Sequence, residues 1–239
     1  MSDSHAVTED SRGDWHRNIV SLRSSVDIFR ELASDPADAS ILIAHELATK
    51  PTREPQPIIS RPFDDAVTYD PLALAIQWPF EHPTYSRYSA GAYGVWYGGR
   101  TFEATIYETV YHFRRNTLSS EVARETKKPI IQERRVHLVH CGAALVDLRA
   151  QCATDARLVD PCDYSYCQSL GAGLRSIFLP GIMTLSARLA KAEIAAVFVR
   201  EALSNPRDVC YLTYNLDAAT GRVTVERTPG VVEWVIERT

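Results

Sequence analysis

No apolar run in this 239-residue chain approaches the roughly 18–20 residues that a membrane-spanning helix needs. The opening, MSDSHAVTEDSRGDW, is polar and acidic, which does not fit a secretory signal. Basic residues are not in excess: the net charge of −4 gives no electrostatic ground for a nucleic-acid face. Cysteine is scarce and odd in number. Cys141, Cys152, Cys162, Cys167 and Cys210 form no CxxC pair, which argues against a disulfide framework and against a zinc site. A reduced cytoplasmic setting is the expectation, with most of these thiols acting as small core residues. Internal repeats and low-complexity tracts are missing too.

What is present is ordinary for a globular protein. Apolar residues make up 45% and charged residues 23%, over a length that suits one large domain, or one domain with an appendage. Polarity without periodicity predicts a disordered start over residues 1–13. Ile19, Leu22, Val26, Phe29 and Ala33 fall at helical spacing, so a helix is expected from Trp15 to about Ala33. A second short helix carries Ile41, Leu42 and Leu47 before the proline-containing stretch Lys50 to Pro57. The expected division is a helical extension over 1–57 and a main domain over 58–239.

Within the main domain Pro71, Pro79 and Pro83 break long elements, leaving a short strand or turn from Ile76 to Phe80. Residues 114–133 read as irregular or partly helical. Strand-like runs follow at Val136–His140 and Ala144–Leu148, with a helix from Asp163 to about Arg175. Further strands are expected at Gly181–Leu185 and Ile194–Val199, in a hairpin of Val209–Leu216 with Arg222–Glu226, and at Val231–Ile236. The G-x-G of LGAGLR has no convincing strand before it and no third glycine after it, so a Rossmann site is a poor reading. Many short strands with a few helices, not in strict alternation, give α+β.

The most informative stretch is Ser86–Phe113, SRYSAGAYGVWYGGRTFEATIYETVYHF. Tyr93, Val95 and Tyr97 alternate as in a strand, and Gly98-Gly99 is expected to stop it. Thr101 fits an N-cap for a helix from about Phe102 to Arg114. Phe102, Ile106, Val110 and Phe113 form its core stripe, and Thr101, Thr105, Glu108 and His112 a second stripe on the other face. Taken singly, Glu108 reads as a solvated surface acid, Arg87 as a surface ion pair and Tyr97 as a strand-edge core residue. Ser186 reads equally well as a helix N-cap before LAKAEI. His112 is on its own a surface histidine. His137 and His140 point to opposite faces of one strand and are no metal pair.

Four motifs in order carry a resemblance. They are Arg87-Tyr88, Tyr97 in VWYGG, the segment EATIYE from Glu103 to Glu108, and GIMTLSAR from Gly181 to Arg188. Together with Gln168 in DYSYCQSLG they resemble the RES-domain toxins of bacterial toxin–antitoxin modules, over about residues 60–226. The chain departs from that family at Thr184-Leu185, where many members have Tyr-Pro, and in the segment after Ser186. Its first sixty residues have no counterpart in shorter members.

The resemblance implies a split β-sheet core similar to that of ADP-ribosyltransferases. It also implies an enzyme that degrades NAD, its substrate, by cleaving the nicotinamide–ribose bond with water or inorganic phosphate. Its other implied activity is transfer of ADP-ribose to a protein, and a catalytically silent nucleotide-binding module is the remaining alternative. The implied catalytic residues are Arg87, Glu108 and Ser186, and the implied NAD-binding residues are Arg87, Tyr88, Tyr97, Gln168 and Ser186, with Arg188 secondary. No metal and no further cofactor are implied. The implied partner is a small helical Xre-type antitoxin that blocks the active-site mouth. The toxin would be oligomeric in that complex and would reach nucleic acid only through the antitoxin.

Those residue types suit that chemistry. Expelling neutral nicotinamide leaves an oxocarbenium-like ribosyl centre, which a carboxylate such as Glu108 stabilises. The Arg87 guanidinium can hold pyrophosphate oxygens in bidentate fashion. Tyr97 can stack on the nicotinamide ring and Ser186 can donate to a phosphate or carboxamide.

Overall fold

The computed structural model describes residues 6–21 and 71–238. The expected helix carrying Ile41, Leu42 and Leu47 and the stretch Lys50 to Pro57 lie outside the described residues. The strands are β1 (Val7–Thr8), β2 (Gly13–Val20), β3 (Tyr85–Ser86), β4 (Ser89–Ala90), β5 (Trp96–Gly99) and β6 (Ile130–Cys141). They continue with β7 (Leu145–Asp147), β8 (Gly181–Leu185), β9 (Glu193–Val197), β10 (Leu203–Leu216), β11 (Val223–Thr228) and β12 (Val231–Ile236). The α-helices are α1 (Pro71–Glu81), α2 (Phe102–Leu118), α3 (Glu121–Glu125) and α4 (Ser165–Ser176). The architecture is α+β, as expected.

Ten strands form one sheet in the order β1-β7-β8-β9-β5-β2-β6-β10-β11-β12, and β3-β4 is a separate small hairpin. All pairings in the large sheet are antiparallel except β7–β8. The two halves of the sheet meet between β2 and β5, where a single pair, His16↔Gly99, is in register. On either side the ladders are long: β2 pairs with β6 from Gly13↔Cys141 to Val20↔Arg134, and β5 with β9 from Trp96↔Val197 to Gly99↔Ile194. The sheet is therefore split at this line.

β2 corrects the expected N-terminal helix. From Trp15 to Val20 the chain is a strand, and residues 21–33 are outside the description apart from Ser21. Trp15 is fully buried and its indole donates to Ser11 O at 2.8 Å, while Asn18 is buried against β6. Pairing along the whole of β2 outweighs a helical periodicity that only Ile19 supports within this span. Residues 7–13 are likewise built into the sheet or its 3₁₀ turn instead of standing free. Among the described residues, those up to Val20 group with Leu72 onward as one compact unit.

α1 corrects the expected short strand or turn. It contains Pro79, which has no N–H to give the carbonyl of Ala75 four residues back. The indole of Trp96 fills that role, donating to Ala75 O at 2.9 Å from a fully buried ring. Gly98 and Gly99 are the last two residues of β5, which ends there as expected but begins only at Trp96. A Cβ on Gly98 would fall 2.4 Å from Trp96 Cη2, and one on Gly99 would fall 2.8 Å from Thr105 Cγ2. The glycines let Trp96 and α2 close over the strand.

α2 runs one turn past the expected Arg114. Thr101 Oγ1 caps it by accepting from Ala104 N at 3.2 Å, as its position in the sequence implies. Ile106, Val110 and Phe113 pack with Val136, Leu212 and Tyr214 of β6 and β10, so the core stripe is where the spacing places it. Residues 121–125 form α3, and the strand expected from Val136 already begins at Ile130. α4 matches the helix expected from Asp163, and the last strands form the expected hairpin and edge.

If Trp96 stands in for the missing Pro79 N–H, the two side chains are energetically coupled. Trp96→Phe should lower the unfolding free energy by about 1–3 kcal/mol beyond the loss of packing, since Ala75 O is left buried and unpaired. In a Pro79→Ala background, where the helix supplies its own donor, the same change should cost measurably less. Denaturant unfolding of the two single variants and the double variant checks this. Equal losses in both backgrounds would remove the coupling.

Candidate active site

The hairpin β3–β4 is closed by Ser86↔Ser89, which places Arg87 and Tyr88 at its two-residue turn. Three side chains hold that turn. Tyr97 Oη accepts from Tyr88 N at 3.1 Å and donates to Ser86 Oγ at 3.0 Å. Tyr93 Oη donates to Tyr88 O at 2.5 Å. From α4, Gln168 Nε2 donates to Ser86 O at 2.9 Å and to Ser89 O at 3.4 Å. α4 can come this close because Gly171 faces the turn: a Cβ there would fall 2.4 Å from Tyr88 O.

Arg87 emerges from this turn with its Nη1 donating to Leu158 O at 3.3 Å and its Cζ 4.6 Å from the centre of the Tyr164 ring. No carboxylate pairs with it among the described residues, so the surface ion pair is not what the structure shows.

Glu108 approaches from α2. Its Oε1 accepts from Ser186 Oγ at 2.5 Å. The same Ser186 oxygen accepts from Arg188 N and Leu189 N, each at 3.0 Å, so its proton is directed to the carboxylate. Ser186 is a cap after all, but of the turn that follows β8. No helix begins at LAKAEI. Arg188 is anchored by Pro161 O at 2.6 Å and Tyr164 Oη at 3.2 Å, and lies over the Tyr111 ring.

These elements enclose a cavity of about 420 Å³. Arg87, Tyr88, Tyr97 and Glu108 line it, so four of the six candidate residues meet at this cavity. Ser186 and Gln168 do not line it. They stand behind it, orienting the carboxylate and the arginine turn respectively. Tyr88 is fully buried and belongs mostly to the core, and burial raises the pKa of its hydroxyl. Burial does the same to Tyr97, whose hydroxyl is already committed to the hairpin.

Sequence reasoning missed the other lip of the cavity. His16, Arg17 and Asn18 of β2 line it, as do Trp78 of α1 and His82 just after that helix, whose rings stack at 3.8 Å. Their signal was concealed by the helical reading of 15–33 and the proline-based reading of 71–83.

The charge balance is one-sided. Among the described residues Glu108 is the only acid in the lining, against Arg17, Arg87 and Arg115. His112 lies one turn beyond Glu108 at the open side. Crowding by the cavity wall, and then the positive field of Arg188, Arg115, Arg134 and Arg87, depress its pKa to about 4. It is therefore neutral at pH 7. Among the described residues no cluster of His, Cys, Asp or Glu is placed to hold a metal ion, and no helix is long and apolar enough to cross a membrane.

A family model, the RES domain, matches residues 69–217. No curated protein matches the chain. Among solved structures, a chain of the M. tuberculosis MbcT–MbcA toxin–antitoxin complex is similar at 16% identity. That alignment covers 56% of this chain and 73% of that one, with a TM-score of 0.37.

The depressed histidines set a pH dependence of stability. His112 is joined by His16 and by the fully buried His137, both lowered first by burial. Asp208 Oδ1, 3.0 Å from His137 Nδ1, pulls the other way. Between the unfolded value of about 6.5 and the lower folded values, the unfolded chain binds more protons, so stability is lost as the pH falls. The melting temperature should drop from pH 7 toward pH 4.5, and His112→Gln should flatten part of that slope. A melting temperature that rises on acidification would contradict the assignment.

Proposed function

The chain belongs to the RES-domain family, and from that premise we propose that it is the toxin of a bacterial toxin–antitoxin pair and acts by cleaving the nicotinamide–ribose bond of NAD. The observation that supports this best is the carboxylate of Glu108, oriented by Ser186. It is the one acid among the described lining residues of a cavity that also presents three arginines and several aromatic rings. A dinucleotide needs that combination: cations for its pyrophosphate, flat surfaces for its rings and one anion for the reacting sugar.

Binding begins with Arg87, whose guanidinium pairs with no carboxylate among the described residues, so phosphate oxygens can supply its counter-charge. Nicotinamide departs as a neutral ring with the electrons of the C–N bond, leaving positive charge on the ribose. Glu108 stabilises that charge, and the Ser186 proton fixes one of its oxygens so that little reorientation is needed as charge develops. Water or inorganic phosphate attacks the ribosyl carbon and gives ADP-ribose or its 1″-phosphate. The neutral His112 adds no competing cation beside the carboxylate at pH 7. An Xre-type antitoxin covering the cavity mouth would switch this activity off.

Purified protein incubated with NAD, with and without phosphate, should release nicotinamide, and the identity of the second product tells which acceptor is used. Glu108→Gln should melt like the parent while the rate falls about 10²–10³-fold, the usual effect of removing one electrostatic contact to a transition state. Ser186→Ala should lower kcat by a smaller factor with little change in KM, because it orients the carboxylate and does not line the cavity. Turnover by Glu108→Gln at the parent rate, with its fold intact, would falsify the role given to this acid.

A further inference from the structure

β2 lies outside the matched residues 69–217, yet it supplies one lip of the cavity. Arg17 is the unusual member of that strand. Its Nη1 donates to Tyr97 O at 2.9 Å, across the line where β2 and β5 stop pairing, and its Cζ lies 5.6 Å from the centre of the Trp96 ring. Its Nε is buried with no acceptor. Behind it, Arg134 is also buried, and its hydrogen bonds go only to neutral groups: Asn18 Oδ1 at 2.7 Å, Gln132 Oε1 at 2.7 Å and Asn18 O at 3.1 Å. Burial, and then the neighbouring Arg134, lower the Arg17 pKa to about 10, so it remains a cation at pH 7.

Two interior guanidiniums side by side, with no carboxylate on either among the described residues, are costly unless something supplies negative charge. Among the described residues Glu108 accepts from Ser186 and makes no ion pair with either arginine. Arg17 is one of the residues lining the cavity, so the compensating anion can come from a ligand there.

We propose that Arg17 forms a second oxyanion subsite of the cavity, separate from Arg87, which holds a phosphoryl group against the β2 lip. This rests on the reading of the cavity as a dinucleotide site. The shared chemistry is a tetrahedral phosphoryl oxyanion, which has two sources: the pyrophosphate of the bound dinucleotide, or free inorganic phosphate acting as the acceptor. The planar guanidinium keeps one N–H on Tyr97 O and offers others to the anion, which a lysine cannot do with the same geometry.

The test uses the full chain with Arg17→Gln and Arg17→Lys beside the parent. Thermal melts are titrated with inorganic phosphate, with ADP-ribose and with nicotinamide riboside, which carries no phosphate, and NAD turnover is measured in parallel. The parent should be stabilised by at least one of the two phosphate-bearing probes. Arg17→Gln should weaken that stabilisation about tenfold or more in apparent Kd, with Arg17→Lys intermediate, while nicotinamide riboside is unaffected. Loss confined to phosphate assigns the subsite to the acceptor. Loss confined to ADP-ribose, with a raised KM for NAD, assigns it to the pyrophosphate.

Parent affinity for both phosphate-bearing probes in Arg17→Gln overturns the proposal. Should that variant not fold, parent affinity in Arg17→Lys overturns it equally, as does a parent protein that neither phosphate-bearing probe stabilises. NAD cleavage with unaltered anion binding in the variants sinks the subsite and leaves the enzyme reading standing. Loss of anion binding in a protein that never cleaves NAD does the reverse.

Discussion

The sheet is joined across its middle by one registered pair, His16↔Gly99, and the site follows from that. A fully paired sheet would bring β2 and β5 together along their length and leave no room between them. Here each strand is instead held by its other neighbour, β6 on one side and β9 on the other, so the gap costs few ladder bonds. Tyr97 O, which looks into this gap, is met by the Arg17 side chain instead of a backbone N–H. α2 packs against both β2 and β5, which carries Glu108 to the gap. Glycines at 98 and 99 are needed for the same reason, since Trp96 and α2 occupy the space their side chains would take.

Much of the chemistry in this cavity is arranged indirectly. Ser186 gives its proton to Glu108, Gln168 gives its amide to the carbonyls flanking Arg87, and Tyr97 uses its hydroxyl to hold the same turn. Such positioning limits the reorganisation needed when charge develops on a bound ligand, which is where a preorganised site has its advantage over water. The excess of arginine over acid also matters beyond binding. After burial, it is the second cause of the lowered pKa of His112, and among the described lining residues it leaves Glu108 as the one acid.

The parts of this arrangement that were legible in the sequence are the ones fixed locally. α2 declares itself through Thr101 and a 3.6-residue stripe, and the polar stripe on its other face proves to be the cavity face at Glu108 and His112. The order of Arg87, Tyr97 and Glu108 was also readable, because a turn, a strand and a helix follow one another there. The parts that were not legible depend on distant partners. Trp15 to Val20 becomes a strand because β6, more than a hundred residues later, pairs with it throughout. Pro79 is tolerated inside α1 because Trp96 offers an indole N–H where the proline has none. Neither compensation leaves a periodic trace near the residue it rescues.

Strand order gives β2 a further importance. It is the only strand between β5 and β6, so a chain limited to the matched residues 69–217 would expose both of those strands as open edges inside the sheet. Unpaired edges of that kind invite pairing with other chains, and proteins generally cover them. The same loss would remove His16, Arg17 and Asn18 from the cavity wall and leave the carbonyl of Tyr97 without its donor. Tyr97 in turn fixes the turn that presents Arg87. The N-terminal strand is therefore connected to the arginine turn through one tyrosine, whose backbone faces the split and whose hydroxyl faces the hairpin. Among the described residues the cavity is thus built by residues 7–20 together with 72–238, in which the strand outside the family match closes the sheet and the cavity at once.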